Sequence, residues 1–140
     1  MVLAICVLAA CSDVRDFRGT WHGARVGDAP VLRVGVAADA RATLTIDTID
    51  AHGLAGTLSV DGLVQAAPVV SAPGAEADVL AGATWSGSPM RVYFGFFPVP
   101  DGQGDGLAII ALYDDHRIEV RVLRGGTAPL YGIFALGEDP

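Results

Sequence analysis

The chain has 140 residues and a mass of 14.4 kDa, room for one domain around one hydrophobic core and not for two. Apolar residues make up 51% and charged residues 18%, which excludes a disordered chain. A formal net charge of −7 and a pI near 4.6 argue against nucleic acid as a partner, because an acidic surface repels phosphates. All nine basic residues are Arg and no Asn occurs, so lysine Schiff-base chemistry, lysine-bearing phosphate loops and N-glycosylation are excluded as well.

Met1 to Ala10 are apolar without exception, and the run stops at Cys11-Ser12-Asp13. Such a run is too short to span a bilayer, which takes about 20 residues. Its length and the small residues at its end read as the hydrophobic region and cleavage zone of a secretory signal. The residues Leu8-Ala9-Ala10-Cys11 resemble a bacterial lipobox, although no basic residue precedes the apolar run. The resemblance implies cleavage before Cys11 and a diacylglycerol on its thiol. Ser12, where an Asp would retain the protein at the inner membrane, implies sorting to the outer membrane. Residues 1–10 are then a signal peptide, 11–18 a tether of roughly 25 Å if extended, and 19–140 a single domain. Cys6 leaves with the signal and Cys11 is acylated, so neither a disulfide nor thiol catalysis is expected. Without the leader the apolar fraction falls to about 47%, ordinary for a soluble domain.

From about residue 31 the chain alternates with period 2, and no window shows a helical period. Leu32, Val34 and Val36 share one face of a strand. Leu44 and Ile46 share another, and the slip of phase to Ile49 predicts a bulge near Asp47 and Thr48. Leu54, Leu58 and Val60 follow, up to the hairpin dipeptide Asp61-Gly62. Leu63 to Val70 contains Pro68 and reads as an edge or an irregular crossing. Val79 to Trp85, Arg91 to Phe97, Leu107 to Tyr113, His116 to Val122 and Leu130 to Leu136 complete the pattern, with a loop over 98–106 and a tight turn at Asp114-Asp115. The last strand is apolar on both faces and is expected to be central or covered. Eight or nine short strands with regular turn signals predict an all-β domain, either an antiparallel up-and-down barrel or a sandwich.

The segment Gly19-Thr20-Trp21 resembles the Gly-x-Trp opening of lipocalin-type and avidin-type barrels. The resemblance implies a calycin-like barrel in which Trp21 closes one end beneath an arginine, here Arg121 or Arg124, with an apolar cavity inside. Ligand contacts are then expected from Trp21, Trp85, Tyr93, Phe97, Arg121 and Arg124. Trp85 sits in a setting similar to that of Trp21, Ala83-Thr84-Trp85-Ser86-Gly87, which also admits an internal duplication. Along the aromatic strand, alternation places Phe94 and Phe96 on one face and Tyr93 and Phe97 on the other.

Other constellations are weaker. Asp101, Gln103 and Asp105 with Gly106 resemble the front of a calcium loop, but Leu112 stands where the closing Glu belongs. Asp50 with His52, and Asp114-Asp115 with His116, are the acid–base candidates, with no nucleophile elbow beside them. No cofactor is expected. The sequence thus favours a non-enzymatic envelope lipoprotein, held to the membrane through Cys11, that binds a hydrophobic small molecule or a protein. An inhibitor or structural lipoprotein presenting the 98–106 loop is the alternative, and a hydrolase comes third.

Overall fold

The computed structural model describes residues 13–26, 36–74, 87–100, 104–126 and 129–138. The chain enters through a one-turn 3-10 helix, η1 (Val14–Phe17), followed by eight strands: β1 (Gly19–Arg25), β2 (Arg41–Ile49), β3 (Leu54–Val60), β4 (Val64–Pro73), β5 (Arg91–Pro98), β6 (Asp105–Tyr113), β7 (Arg117–Arg124) and β8 (Leu130–Glu138). Each strand pairs antiparallel with the next, and β8 pairs back to β1, so the sheet closes into an up-and-down barrel. The lower end carries η1, the turns at 50–53 and 114–116 and the end of β8. The upper end carries the turn at 61–63 and the loop after β5.

Alternation decides what faces inward. Leu44, Leu58, Val69, Tyr93, Phe97, Ile110, Leu112, Val120, Phe134 and Leu136 meet in one buried cluster, because the period-2 side chains of a closed sheet all converge on its axis. An eight-stranded barrel is just wide enough for side chains to fill it, and here they do. Close curvature needs glycine: a Cβ on Gly95 would collide with the Val70 carbonyl oxygen where β5 crosses β4, and one on Gly23 with the Ala135 carbonyl where β1 meets β8.

The bulge expected near Asp47 is present as a register shift between Ile46 and Thr48. The turn after Asp61 spans three residues, with Gly62 at φ +74° and the Asp61 carboxylate accepting from the Arg41 N–H at 2.9 Å. Pro68 does not lie on a free edge, since closure leaves none: β4 pairs with β3 along its length. Its ladder with β5 covers only Val70 to Pro73, and continuing that register would set Pro68 against Pro98, two residues without an N–H to donate. The expected strands at 32–36 and 79–85 lie outside the described residues, apart from Val36, which is buried and not in a strand.

Segment 13–18, expected as tether, holds η1 instead. Asp13 caps it by accepting the Arg15 N–H at 3.0 Å, and Asp16 returns the favour to the Asp13 N–H at 3.2 Å, a capping box. Phe17 is fully buried beneath the barrel.

Candidate functional site

At the lower end Trp21 is fully buried, stacked on Phe17 with ring centroids 5.5 Å apart, and its Nε1–H donates to the Phe17 carbonyl at 2.9 Å. Trp21 therefore closes the barrel from inside, with η1 as the plug beneath it. The ring that leans on the indole belongs to His116, 5.0 Å away, and not to an arginine. His116 reaches it because the turn after β6 puts this residue in the left-handed region, φ +59°, and its Nε2 lies 2.9 Å from Glu138 Oε2 at the end of β8.

Neither arginine can take that place. Arg121 has outward parity on β7, and its guanidinium bonds Glu119 Oε1 at 2.8 Å; both residues are 3% exposed. The Tyr113 hydroxyl lies 3.4 Å from Glu119 Oε2, and Arg117 stands 3.8 Å over the Tyr113 ring. Removing either charge of such a pair strands the other in a dry setting, so the pair is a structural fixture of the outer wall and is not available to a ligand. Arg124 ends β7 at the upper rim, the far end from Trp21.

Tyr93 and Phe97 point inward as expected, but into packed core. The Tyr93 hydroxyl donates to the Asp50 carbonyl at 2.7 Å, and burial raises the phenol's pKa. Trp85 and Cys11 lie outside the described residues, as do Asp101 and Gln103; Asp105 sits in β6 opposite Pro98. Because Pro98, Asp105 and Gly106 all belong to the β5–β6 ladder, the loop expected over 98–106 is confined to 99–104.

The acid–base candidates are engaged in turns and walls. Asp50 Oδ1 accepts the N–H groups of His52 at 2.7 Å and Gly53 at 3.0 Å, which holds its carboxyl below the ordinary value. His22 Nδ1 lies 2.9 Å from Thr43 Oγ1, and Thr20 Oγ1 lies 3.2 Å from Thr45 Oγ1. Among the described residues no three His, Cys, Asp or Glu side chains gather into a metal site.

The outer wall is two-sided. On β1 to β3 it is polar and stitched by those cross-strand pairs. From β4 to β8 an apolar row crosses it, beside the buried Glu119–Arg121 pair of β7. In register, Val70 faces Phe96, Phe96 faces Leu107, Leu107 faces Leu123, and Leu123 faces Tyr131, one uncharged row across five strands. Val70 is 71% and Phe96 62% exposed, the two most exposed large apolar residues among those described. Beside them lies an open cleft of about 550 Å³ between the Asp50–Gly53 turn and β5, lined by Ile49, Leu54, Ala55, Val70, Phe94 and Phe96 among others. Ser71 borders it, 4% exposed, its hydroxyl without a hydrogen-bond partner among the described residues. Alternation had already set Phe94 and Phe96 together on one face of β5; the structure adds that this face opens to solvent at Phe96 and continues as a row onto the neighbouring strands.

Comparison with known families, with curated proteins and with solved structures found no match to this chain, so the site is read from its own geometry.

Proposed function

We propose that the protein is a non-enzymatic, lipid-anchored barrel of the cell envelope that binds a protein partner through its apolar outer wall. The observation that carries this reading is the contrast between a barrel interior filled with side chains and an outer wall that leaves Val70 and Phe96 in solvent. A small-molecule pocket buries most of its ligand, whereas the cleft beside Phe96 is open along the wall, a shape suited to a partner's surface. A membrane-spanning barrel has the reverse pattern, polar inside and apolar all round. The anchor rests on the lipobox resemblance at Cys11; η1 sets Asp13, two residues further on, at the lower end of the barrel, so that an acylated Cys11 would hold that end against the bilayer.

Two measurements on the full chain produced in a bacterium that processes lipoproteins test the reading. Intact mass should show a diacylglycerol adduct on Cys11 that Cys11→Ala abolishes. Binding of the neutral dye Nile red should fall several-fold in Phe96→Ser and be unchanged in Thr57→Ser on the polar wall. An unmodified Cys11 removes the anchor, and dye binding indifferent to Phe96 removes the wall.

A further inference from the structure

We infer that the cleft beside Phe96 receives a basic side chain of the partner protein, its aliphatic stem laid along Val70 and Phe96 and its cation at the carboxylate of Asp50. The inference rests on the reading of the wall as the binding surface and goes on to name what the partner presents there.

The cleft has two unlike flanks. On one stand Val70, Phe94 and Phe96 of β4 and β5; on the other stand Thr48, Asp50 and His52, all three exposed. Such a lining suits a guest that is apolar along its length and polar at its tip, as lysine and arginine side chains are. Ser71 also borders the cleft, but its hydroxyl is covered, so the polar atoms within a guest's reach belong to the Thr48–His52 flank.

Asp50 is held in place for this contact. Its carbonyl accepts the Tyr93 hydroxyl at 2.7 Å, which ties the turn to β5, and its Oδ1 accepts the N–H groups of His52 and Gly53. Two backbone donors on one oxygen favour the charged carboxylate and fix its orientation. Oδ2 makes no hydrogen bond among the described residues, and the side chains of His52 and Arg15 act on the charge without bonding it. One oxygen of an ionised, immobilised carboxylate is thus left over beside two phenyl rings, and both the carboxylate and the ring faces attract a cation.

Charge on the rest of this face selects the same guest. Asp105 shares the outward parity of Leu107 on β6 and is exposed, so the row runs between carboxylates at its lower and upper ends. Arg91 has the parity of Tyr93, opposite to Phe94 and Phe96, while Arg117 and Arg121 on the outward face of β7 are engaged with Asp115 and Glu119. The chain as a whole carries −7, which draws basic surfaces and repels acidic ones. Because the cleft is open along the wall, a side chain can enter it while its backbone stays outside.

Chemical-shift titration of the full-length Cys11→Ser chain in detergent-free buffer of low ionic strength tests the inference. The probes are acetyl-Leu-Lys-Leu-amide, its counterparts with arginine, norleucine or glutamate at the centre, and n-butylammonium. The lysine and arginine peptides should shift the amides of His52, Gly53, Val70 and Phe96 and bind about threefold more tightly than the norleucine peptide, a margin of the size an exposed ion pair supplies. Asp50→Asn should erase that margin without changing norleucine binding, and Phe96→Ser should weaken all three. Asp114→Asn removes the same charge from the turn between β6 and β7 and should leave the margin intact; unchanged thermal unfolding profiles show that the variants fold. Norleucine or glutamate peptides that bind as tightly as the lysine peptide overturn the inference, as does an Asp114→Asn effect equal to that of Asp50→Asn, which is general attraction to an acidic chain. Binding of n-butylammonium as tight as that of the lysine peptide also overturns it, since the cleft is then a site for small amines and not for a partner's side chain. Nile red binding that depends on Phe96 while lysine and norleucine peptides bind alike leaves the wall a binding surface and removes only the basic guest.

Discussion

Phe96 and Phe97 are the same residue at adjacent positions, and the barrel gives them opposite surroundings. Phe97 is 1% exposed and lies against Gly106, where a Cβ would already collide with its ring. A buried Phe removes on the order of 150–250 Å² from water, about 4–6 kcal/mol at about 25 cal/mol per Å². Because truncation also leaves a cavity and the methyl of Ala recovers part of the area, Phe97→Ala should cost about 3–5 kcal/mol. Phe96 keeps 62% of its surface in water, so Phe96→Ala should cost about 1 kcal/mol or less in the monomer. Urea unfolding followed by far-ultraviolet circular dichroism measures both; the m-value should stay constant while the midpoint moves much further for Phe97→Ala than for Phe96→Ala. A slip of one residue in β5 would exchange the two faces. Equal costs, or a larger cost at Phe96, would refute the assignment of inside and outside on which the wall depends.

Arg121→Met should destabilise by about 3 kcal/mol, because it leaves the Glu119 carboxylate buried without its 2.8 Å partner; Arg121→Met with Glu119→Leu should recover most of that loss in the same unfolding assay. Trp21→Phe keeps an aromatic ring but gives up the bond to the Phe17 carbonyl, so it should cost about 1–2 kcal/mol and speed amide hydrogen exchange at Arg18, whose N–H bonds the Arg15 carbonyl in η1. Asp50 titrates below its ordinary value of 3.8 because backbone N–H groups of His52 and Gly53 favour its charged form. A depressed carboxyl contributes stability that is present above the unfolded-state value and is lost as pH falls through the folded-state value. Asp50→Asn should therefore flatten the loss of stability below about pH 4 and change little at neutral pH, where the amide oxygen can still accept in the turn; an unaltered acid limb would contradict the role given to Asp50.

The strands were legible because each has one strongly alternating face: Leu44 and Ile46 in β2, Ile118, Val120 and Val122 in β7. The bulge was legible from the slip to Ile49, and the opposite facing of Tyr93 and Phe96 from parity alone. Closure was not, since alternation tells which way a side chain points and nothing about which strand lies next to it. The last strand, β8, was expected to be covered because it is apolar on both faces; the structure leaves its outer face half-buried, and leaves Phe96 of β5 in water. η1 was hidden for a different reason, as a single 3-10 turn is too short to show a period and its signature is the capping pair Asp13 and Asp16. The arginine over Trp21 failed on parity, since residue 121 shares its face with Glu119, and no sequence pattern announces that His116 will turn back over the indole through a positive φ.

A barrel that binds with its wall and not with its interior, as proposed, presents its accessible apolar surface on the outside. Methyl-resolved NMR with a neutral, hydrophobic nitroxide added to the protein tests it most directly, since the probe broadens whatever methyl groups it can approach. The structure predicts broadening at Val70, Leu107, Leu123 and Ile133, with Leu44, Leu58, Ile110 and Val120 left sharp. Broadening of the four interior residues while Val70 stays sharp would place the accessible apolar surface inside the barrel and contradict the claim.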